Sequence, residues 1–128
     1  MNKILTTLYL GDHTAAESMS MLQRVGITHI VNLTENIQCK YPSQIEYLQI
    51  KVPDEERTNL MQWFPQIFAF IDEGRKHGKV LVHCWAGVSR SATAVMAYLM
   101  EKEDWTAAEA FKYVKARRFI MPNDGFRL

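Results

Sequence analysis

Cysteine is scarce in this chain: two in 128 residues. Cys39 and Cys84 cannot supply the disulfide framework by which small secreted domains compensate for thin cores. A reducing setting is therefore expected, cytoplasmic with the nucleus also open. Long apolar runs are missing as well. No stretch of about 18 hydrophobic residues occurs, so neither a membrane-spanning helix nor a membrane partner is expected. The opening MNKILTTLYLGDH is broken by Thr6 and Thr7 and has no small-residue cleavage site behind it, unlike a signal peptide. Nor is one sign of charge in excess: 15 basic against 14 acidic residues leave +1. That balance gives no global field for nucleic acid or an anionic surface. Repeats, low-complexity stretches and linkers are absent too. A hydrophobic share of 48% is ample for one core, so residues 1–128 are expected to form one domain and to act as a monomer.

What is present is an alternation of extended and helical patterns. Residues 3–5 and 8–10 read as short strands ahead of Gly11. Ala15, Ala16, Met19, Leu22 and Val25 recur at helical spacing and predict one helix, stopped at Gly26, where left-handed geometry suits glycine. ITHIVNL, residues 27–33, and IEYLQIKV, residues 45–52, are β-branched or alternating and read as strands. Leu60, Phe64, Ile67, Phe68 and Ile71 mark a helix running to about Gly78, with Pro65 expected to kink it or to open a new first turn. The unbroken apolar VLV at 80–82 is the pattern of a central strand covered on both faces. Residues 91–103 read as a helix, and Thr106 with Glu109 forms a T-x-x-E capping box for a last helix to about Arg117. Strands interleaved with helices predict a layered α/β fold.

Between the VLV strand and the following helix lies HCWAGVSRS, residues 83–91. Open α/β sheets take ligands at such strand-to-helix loops, because the N–H groups of a helix start have no intrahelical acceptor. With the helix dipole, those donors hold anions. Gly87 and the small Ala86 and Ser89 let the backbone curl into a nest of N–H groups, which makes Trp85, Ala86, Gly87, Val88 and Ser89 candidate phosphate-binding positions. The same field, with Arg90 nearby, is expected to favour the thiolate of Cys84, a nucleophile that needs no adjacent base. Arg90 offers a planar fork for two phosphate oxygens, worth about 1.5–3 kcal/mol, part of it realised only on a transferring phosphoryl group. Cys39 has no such setting and reads as a small packed residue.

The loop resembles the H-C-x5-R-S/T signature of the cysteine-dependent phosphatases, and the wider chain is similar to the dual-specificity phosphatase family. LYLG (8–11), GITHIVNLT (26–34), FID (70–72), VLVHCWAGVSRSATAVMAYLM (80–100) and PNDGF (122–126) carry the likeness, in the family's order. It implies a single-domain cysteine-phosphatase-like fold, a mixed five-stranded sheet flanked by helices, and a cysteinyl-phosphate intermediate with no metal or cofactor. It assigns the nucleophile to Cys84, phosphate binding to Arg90 and the loop amides, and release of the thiolate to Ser91, which the local pattern alone reads equally as a helix cap. His83 is given a hydrogen-bonding role behind the loop; a satisfied core histidine is the alternative. Asp54, in KVPDEERTNL, occupies the place of the family's general acid, ahead of Glu55 and Glu56, against a plain solvated acidic loop. Asn123 matches the family's tail motif and reads equally as a helix N-cap. Arg117 and Arg118 are placed to touch a second acidic or phosphorylated group, or else to complement a helix dipole. Family members usually continue through a further helix, whereas this sequence ends at Leu128.

The neutral loop residues Trp85, Ala86, Val88 and Ser89 ask for a single phosphate, where lipid and RNA-triphosphate relatives tend to add basic ones. The expected substrate is a phosphorylated protein bearing phospho-Tyr or phospho-Ser/Thr, with Trp85 and Trp63 lining the cleft or simply packing. Two other readings are a phosphatase of a lipid, nucleotide or glucan phosphate, and a phosphoprotein-binding module without turnover. The second usually loses the cysteine or the arginine, and both are present here.

Overall fold

The computed structural model describes residues 1–53 and 60–122. Its strands are β1 (Asn2–Leu5), β2 (Leu8–Gly11), β3 (Ile27–Asn32), β4 (Glu46–Gln49) and β5 (Lys79–His83). Its helices are α1 (His13–Glu17), α2 (Met19–Val25), α3 (Phe64–His77), α4 (Arg90–Glu103) and α5 (Ala107–Lys115). The five strands make one sheet in the order β1-β2-β5-β3-β4. β1 is antiparallel to β2 and the other neighbours are parallel, which is the mixed sheet expected. Gly11 of β2 and Asn32 of β3 both register against His83, so the carboxyl end of β5 is bracketed by the ends of its neighbours. Residues 84–89 leave from that point.

Side-chain alternation places the core. Val80 and Val82 of β5, with Leu8, Leu10 and Val31, join residues of α3, α4 and α5 on one face of the sheet. Leu81, with Tyr9 and Ile30, faces the other way onto Ala16 and Leu22. Val80, Leu81 and Val82 are all 0% exposed, which accounts for a strand with no polar side. Among the described residues no helix is long and apolar enough to cross a membrane.

Two local expectations are corrected. The single helix expected over Ala15 to Val25 is two, because Ser18 leaves helical geometry at φ −99°, ψ 98°. Its N–H closes α1 on the Ala15 carbonyl, and its hydroxyl accepts the Met21 N–H at 3.3 Å to start α2. Serine serves better at such a cap than inside a helix, where its hydroxyl competes with the backbone. The second correction is that β4 is shorter than residues 45–52. The Val52 N–H turns back to the Ile50 carbonyl at 2.9 Å instead of continuing the ladder. Other stops are as expected: Gly26 closes α2 at φ 91°, Pro65 sits in the first turn of α3, and both bonds of the Thr106–Glu109 capping box are made.

A polar link pins α3 to α4. The Tyr98 hydroxyl donates to Asp72 Oδ1 at 2.7 Å, Arg75 Nη1 donates to that hydroxyl at 2.8 Å, and Lys102 donates to Asp72 Oδ2 at 2.7 Å. Arg75 Nε reaches Thr7 Oγ1, in the β1–β2 turn, at 2.8 Å. Burial, with Asp72 as acceptor, pushes Tyr98 up to about 12, so its hydroxyl keeps its proton. Burial would raise Asp72, but the bonds from Lys102 and Tyr98 outweigh it and hold the carboxyl below the usual range. Holding Tyr98 sets the rotation of α4, and with it the direction of Arg90 and Ser91 in its first turn.

Close approach of α3 to the sheet requires a glycine. A Cβ on Gly74 would lie 2.5 Å from Val80 Cγ2 and 2.9 Å from His29 Cγ. Alanine is the better helix former by about 1 kcal/mol, whereas overpacking a tight interface costs about 1–3 kcal/mol. Gly74→Ala is expected to lower the free energy of urea unfolding by up to about 2 kcal/mol; a stabilised variant would show that α3 is not seated this closely.

Candidate active site

Seven consecutive carbonyls, from His83 to Ser89, are all bonded within the protein. Leu33 N–H takes the His83 oxygen at 3.0 Å, and His83 Nδ1 lies 3.2 Å from that of Cys84. His13 N–H takes Trp85 at 3.0 Å, Arg118 Nη2 takes Ala86 at 2.9 Å and Arg118 Nε takes Gly87 at 2.9 Å. Met121 N–H takes Val88 at 2.6 Å, and Thr93 N–H takes Ser89 at 2.9 Å. Among the described residues, by contrast, no acceptor in the protein meets the N–H groups of Trp85, Ala86, Gly87 or Val88. With the carbonyls drawn outward, the amides are left for a ligand, which is the arrangement of an anion-binding nest. Gly87 makes the curl feasible: its φ is 71°, and a Cβ there would lie 2.5 Å from the Gly11 oxygen and 2.6 Å from Arg118 Nη2.

Cys84, where this loop begins, is 2% exposed, and its Sγ lies within hydrogen-bond distance, 3.0 Å, of the hydroxyl of Ser91, itself fully buried in the first turn of α4. Ser89, at the N-cap of α4, makes no side-chain capping bond, so the helix start is not closed by its own serine. Arg90 is 8% exposed, and its Nη1 donates to the Val52 carbonyl at 2.7 Å. Its Nε has no acceptor among the described residues. A buried guanidinium donor without a partner costs free energy unless a ligand meets it, and an anion in the nest is the natural acceptor.

Above the loop opens a cleft of about 350 Å³ lined by Trp85, Arg90, Pro53 and residues 34–37. Buried Asn32 shapes the 34–37 side. Its Oδ1 accepts from Thr34 N at 3.1 Å and Oγ1 at 2.7 Å, and its Nδ2 donates to the Ile37 carbonyl at 2.7 Å. Trp85 is 55% exposed, one ring face stacked on the imidazole of His13.

The geometry gives two expected residues more definite tasks. Arg118, expected to reach a second acidic or phosphorylated group or to complement a helix dipole, donates to the carbonyls of Ala86 and Gly87 and, through Nη1, to Asn2 Oδ1 at 2.9 Å. His83 is both a core histidine and a brace for the loop. Burial drives its pKa down to about 4, so the neutral ring donates from Nδ1 to the Cys84 carbonyl. Trp63 packs against the main core, and Cys39 lies between Asn32 Nδ2 at 3.6 Å and Gln49 Oε1 at 3.8 Å. Asp54, Glu55, Glu56 and Asn123 lie outside the described residues. His13 and the Val52 carbonyl were not foreseen. They act on residues 72 and 38 positions away in the chain, and no local pattern marks either.

A sequence model for the dual specificity phosphatase catalytic domain matches residues 8–128. The protein phosphatase Slingshot homolog of Xenopus laevis is 46% identical over 127 residues, covering 98% of this chain and 18% of its own length. Dual specificity protein phosphatase 1 of Arabidopsis thaliana is 41% identical over 121 residues, covering 93% of this chain and 61% of itself. The solved structure of DUSP15 superposes with a TM-score of 0.93 at 37% identity, over 98% of this chain and 81% of that one. The chain thus spans less than two thirds of these two curated relatives. The expected family and fold class are those found.

Two measurements check the geometry. Arg118→Ala frees the Ala86 and Gly87 carbonyls and is expected to weaken inorganic phosphate, measured as a competitive inhibitor, by about tenfold or more. Arg118→Lys should recover little of this, since one ammonium cannot span both carbonyls. Unchanged phosphate affinity, with weaker binding of doubly phosphorylated peptides only, would return Arg118 to a substrate contact. His83 predicts a pH effect on stability. Above its ordinary value of 6.5 the ring is neutral folded or unfolded; as pH falls towards 4, only the unfolded chain takes the proton. Stability should therefore fall by about 2 kcal/mol between pH 7.5 and 5 from this group, and urea titrations of His83→Asn should lack that part of the slope.

Proposed function

The chain belongs to the dual-specificity phosphatase catalytic-domain family, and from that membership we propose that residues 1–128 form one catalytic domain that hydrolyses phospho-Tyr and phospho-Ser/Thr in protein substrates through a cysteinyl phosphate. The observation that carries the reading is the set of donors without an acceptor among the described residues, the loop amides and Arg90 Nε, in the loop that Cys84 begins. Three equatorial phosphoryl oxygens need such donors, and donors held in place before reaction stabilise a transition state without reorganisation.

Two displacements at phosphorus complete the reaction. The Cys84 thiolate attacks the phosphorus, and the S–P bond forms as the ester P–O bond breaks. The departing oxygen takes a proton from a general acid, for which Asp54 is the candidate; Pro53, its chain neighbour, lines the cleft. Water then attacks the phosphorus, returns a proton to that carboxylate and expels the thiolate, whose charge the Ser91 hydroxyl meets at 3.0 Å. Arg90 holds the phosphoryl oxygens throughout. The curated relatives named above are protein phosphatases by name. Trp85, Ala86, Val88 and Ser89 bring no further positive charge to the loop, which fits a phosphomonoester better than a polyphosphate.

Cys84→Ser is expected to abolish hydrolysis of aryl phosphates while keeping phosphate binding, and Arg90→Ala to lose both; turnover by Cys84→Ser above a trace would end the covalent mechanism. Asp54→Ala should remove the alkaline limb of the kcat/KM profile and cost about 10²–10⁴ in rate on poor leaving groups, with far less on activated ones. Comparing it with Glu55→Ala and Glu56→Ala across phenyl phosphates of rising leaving-group pKa locates the acid: the variant with the steepest dependence has lost it.

A further inference from the structure

Trp85 poses a separate problem. It follows the nucleophile directly, yet its large apolar ring is 55% exposed. The ring is nevertheless held. The imidazole of His13 stacks on it with centroids 4.0 Å apart and planes 21° from parallel, and the His13 N–H bonds the Trp85 carbonyl at 3.0 Å. His13 is fixed in turn: its Nδ1 lies 2.6 Å from Glu17 Oε1, one turn along α1, and the Glu17 carbonyl accepts from the Tyr41 hydroxyl at 2.7 Å. His13 therefore grips Trp85 by both backbone and ring.

We propose that Trp85 is a specificity-determining residue of the cleft and His13 its positioning residue: together they present a rigid indole wall that favours phosphate carried on an aryl ring. This rests on the phosphatase reading above and adds to it a substrate preference. Trp85 lines the same cleft as Arg90, so a group whose phosphate sits on Arg90 passes the indole. Ile37 and Pro53 add apolar lining, and a flat ring between such groups gains from aromatic contact. The charges of the lining point the same way. Among the described lining residues Arg90 is the cation and Glu35 the carboxylate, so beside Glu35 a second phosphate on the ligand would meet repulsion where a neutral ring does not. A ring held by stacking and a short bond also loses less freedom on binding than an unsupported surface tryptophan, so more of each contact appears as affinity.

The test uses the full chain and two competitive inhibitors of its aryl phosphatase activity, phenylphosphonate and inorganic phosphate. Both need the nest, but only the first carries a ring, so the ratio of their inhibition constants isolates the wall. In Trp85→Ala the preference for phenylphosphonate over phosphate is expected to fall about three- to tenfold, the range one aromatic contact supplies. Trp85→Phe should keep most of it. His13→Ala should reduce the preference in the same direction, and His13→Phe, which restores a stacking partner, should recover it. An unchanged ratio in Trp85→Ala overturns the wall, because a residue that merely supported the loop would weaken both inhibitors equally. An unchanged ratio in His13→Ala overturns the positioning role. Failure of the phosphatase reading looks different: the unmodified chain would then neither hydrolyse an aryl phosphate nor bind phosphate.

Discussion

The site depends on an asymmetry in one short stretch of backbone. A loop from strand to helix carries a carbonyl for every amide, and if both were free the segment would be neutral on average and of little use to an anion. Here each carbonyl from His83 to Ser89 is drawn to a donor, five of them from distant segments, while the amides of residues 85–88 find no acceptor among the described residues. The resulting cup is positive without a single lysine, and buried Cys84 begins the loop that forms it. Arg90 repeats the theme in a side chain: one nitrogen is held by the Val52 carbonyl while Nε meets no acceptor among the described residues.

Those outward bonds come from all around the molecule. Leu33 follows β3, His13 opens α1, and Arg118 and Met121 belong to the segment after α5. Each can reach the loop because the sheet order puts β5 between β2 and β3, so the segments leaving all three strands converge at one edge. Behind them the Tyr98–Asp72–Arg75 link and the close seat of Gly74 hold the helices against the sheet. Stability and chemistry thus share a framework. The buried neutral His83 belongs to both, filling the end of β5 while bonding the Cys84 carbonyl.

Much of this was legible in the chain, for a physical reason. Patterns that act over a few residues survive into the fold: the apolar VLV run became the central strand, Gly26 took its left-handed stop, and the Thr106–Glu109 box closed both its bonds. Ser18 shows where such reading fails, because the helical spacing across it was sound and only the hydroxyl's capture of the Met21 amide broke the helix. The shortening of β4 likewise depends on a turn, Val52 back to Ile50, that alternating hydrophobicity does not register.

Chain order alone sets which chemistry is on offer: a thiol, a glycine-containing loop and an arginine between strand and helix, in a spacing that suits one anion. How the groups around them are spent depends on the fold. Arg118 had the composition of a substrate contact, yet three of its bonds go to Ala86, Gly87 and Asn2. His13 carried no signal at all until α1 brought its ring onto Trp85. The reason is range: helix caps, strand patterns and nucleophile spacing are set by neighbours in the chain, whereas the partner of a side chain is set by whichever distant segment the sheet order brings within about 3 Å, the reach of a hydrogen bond.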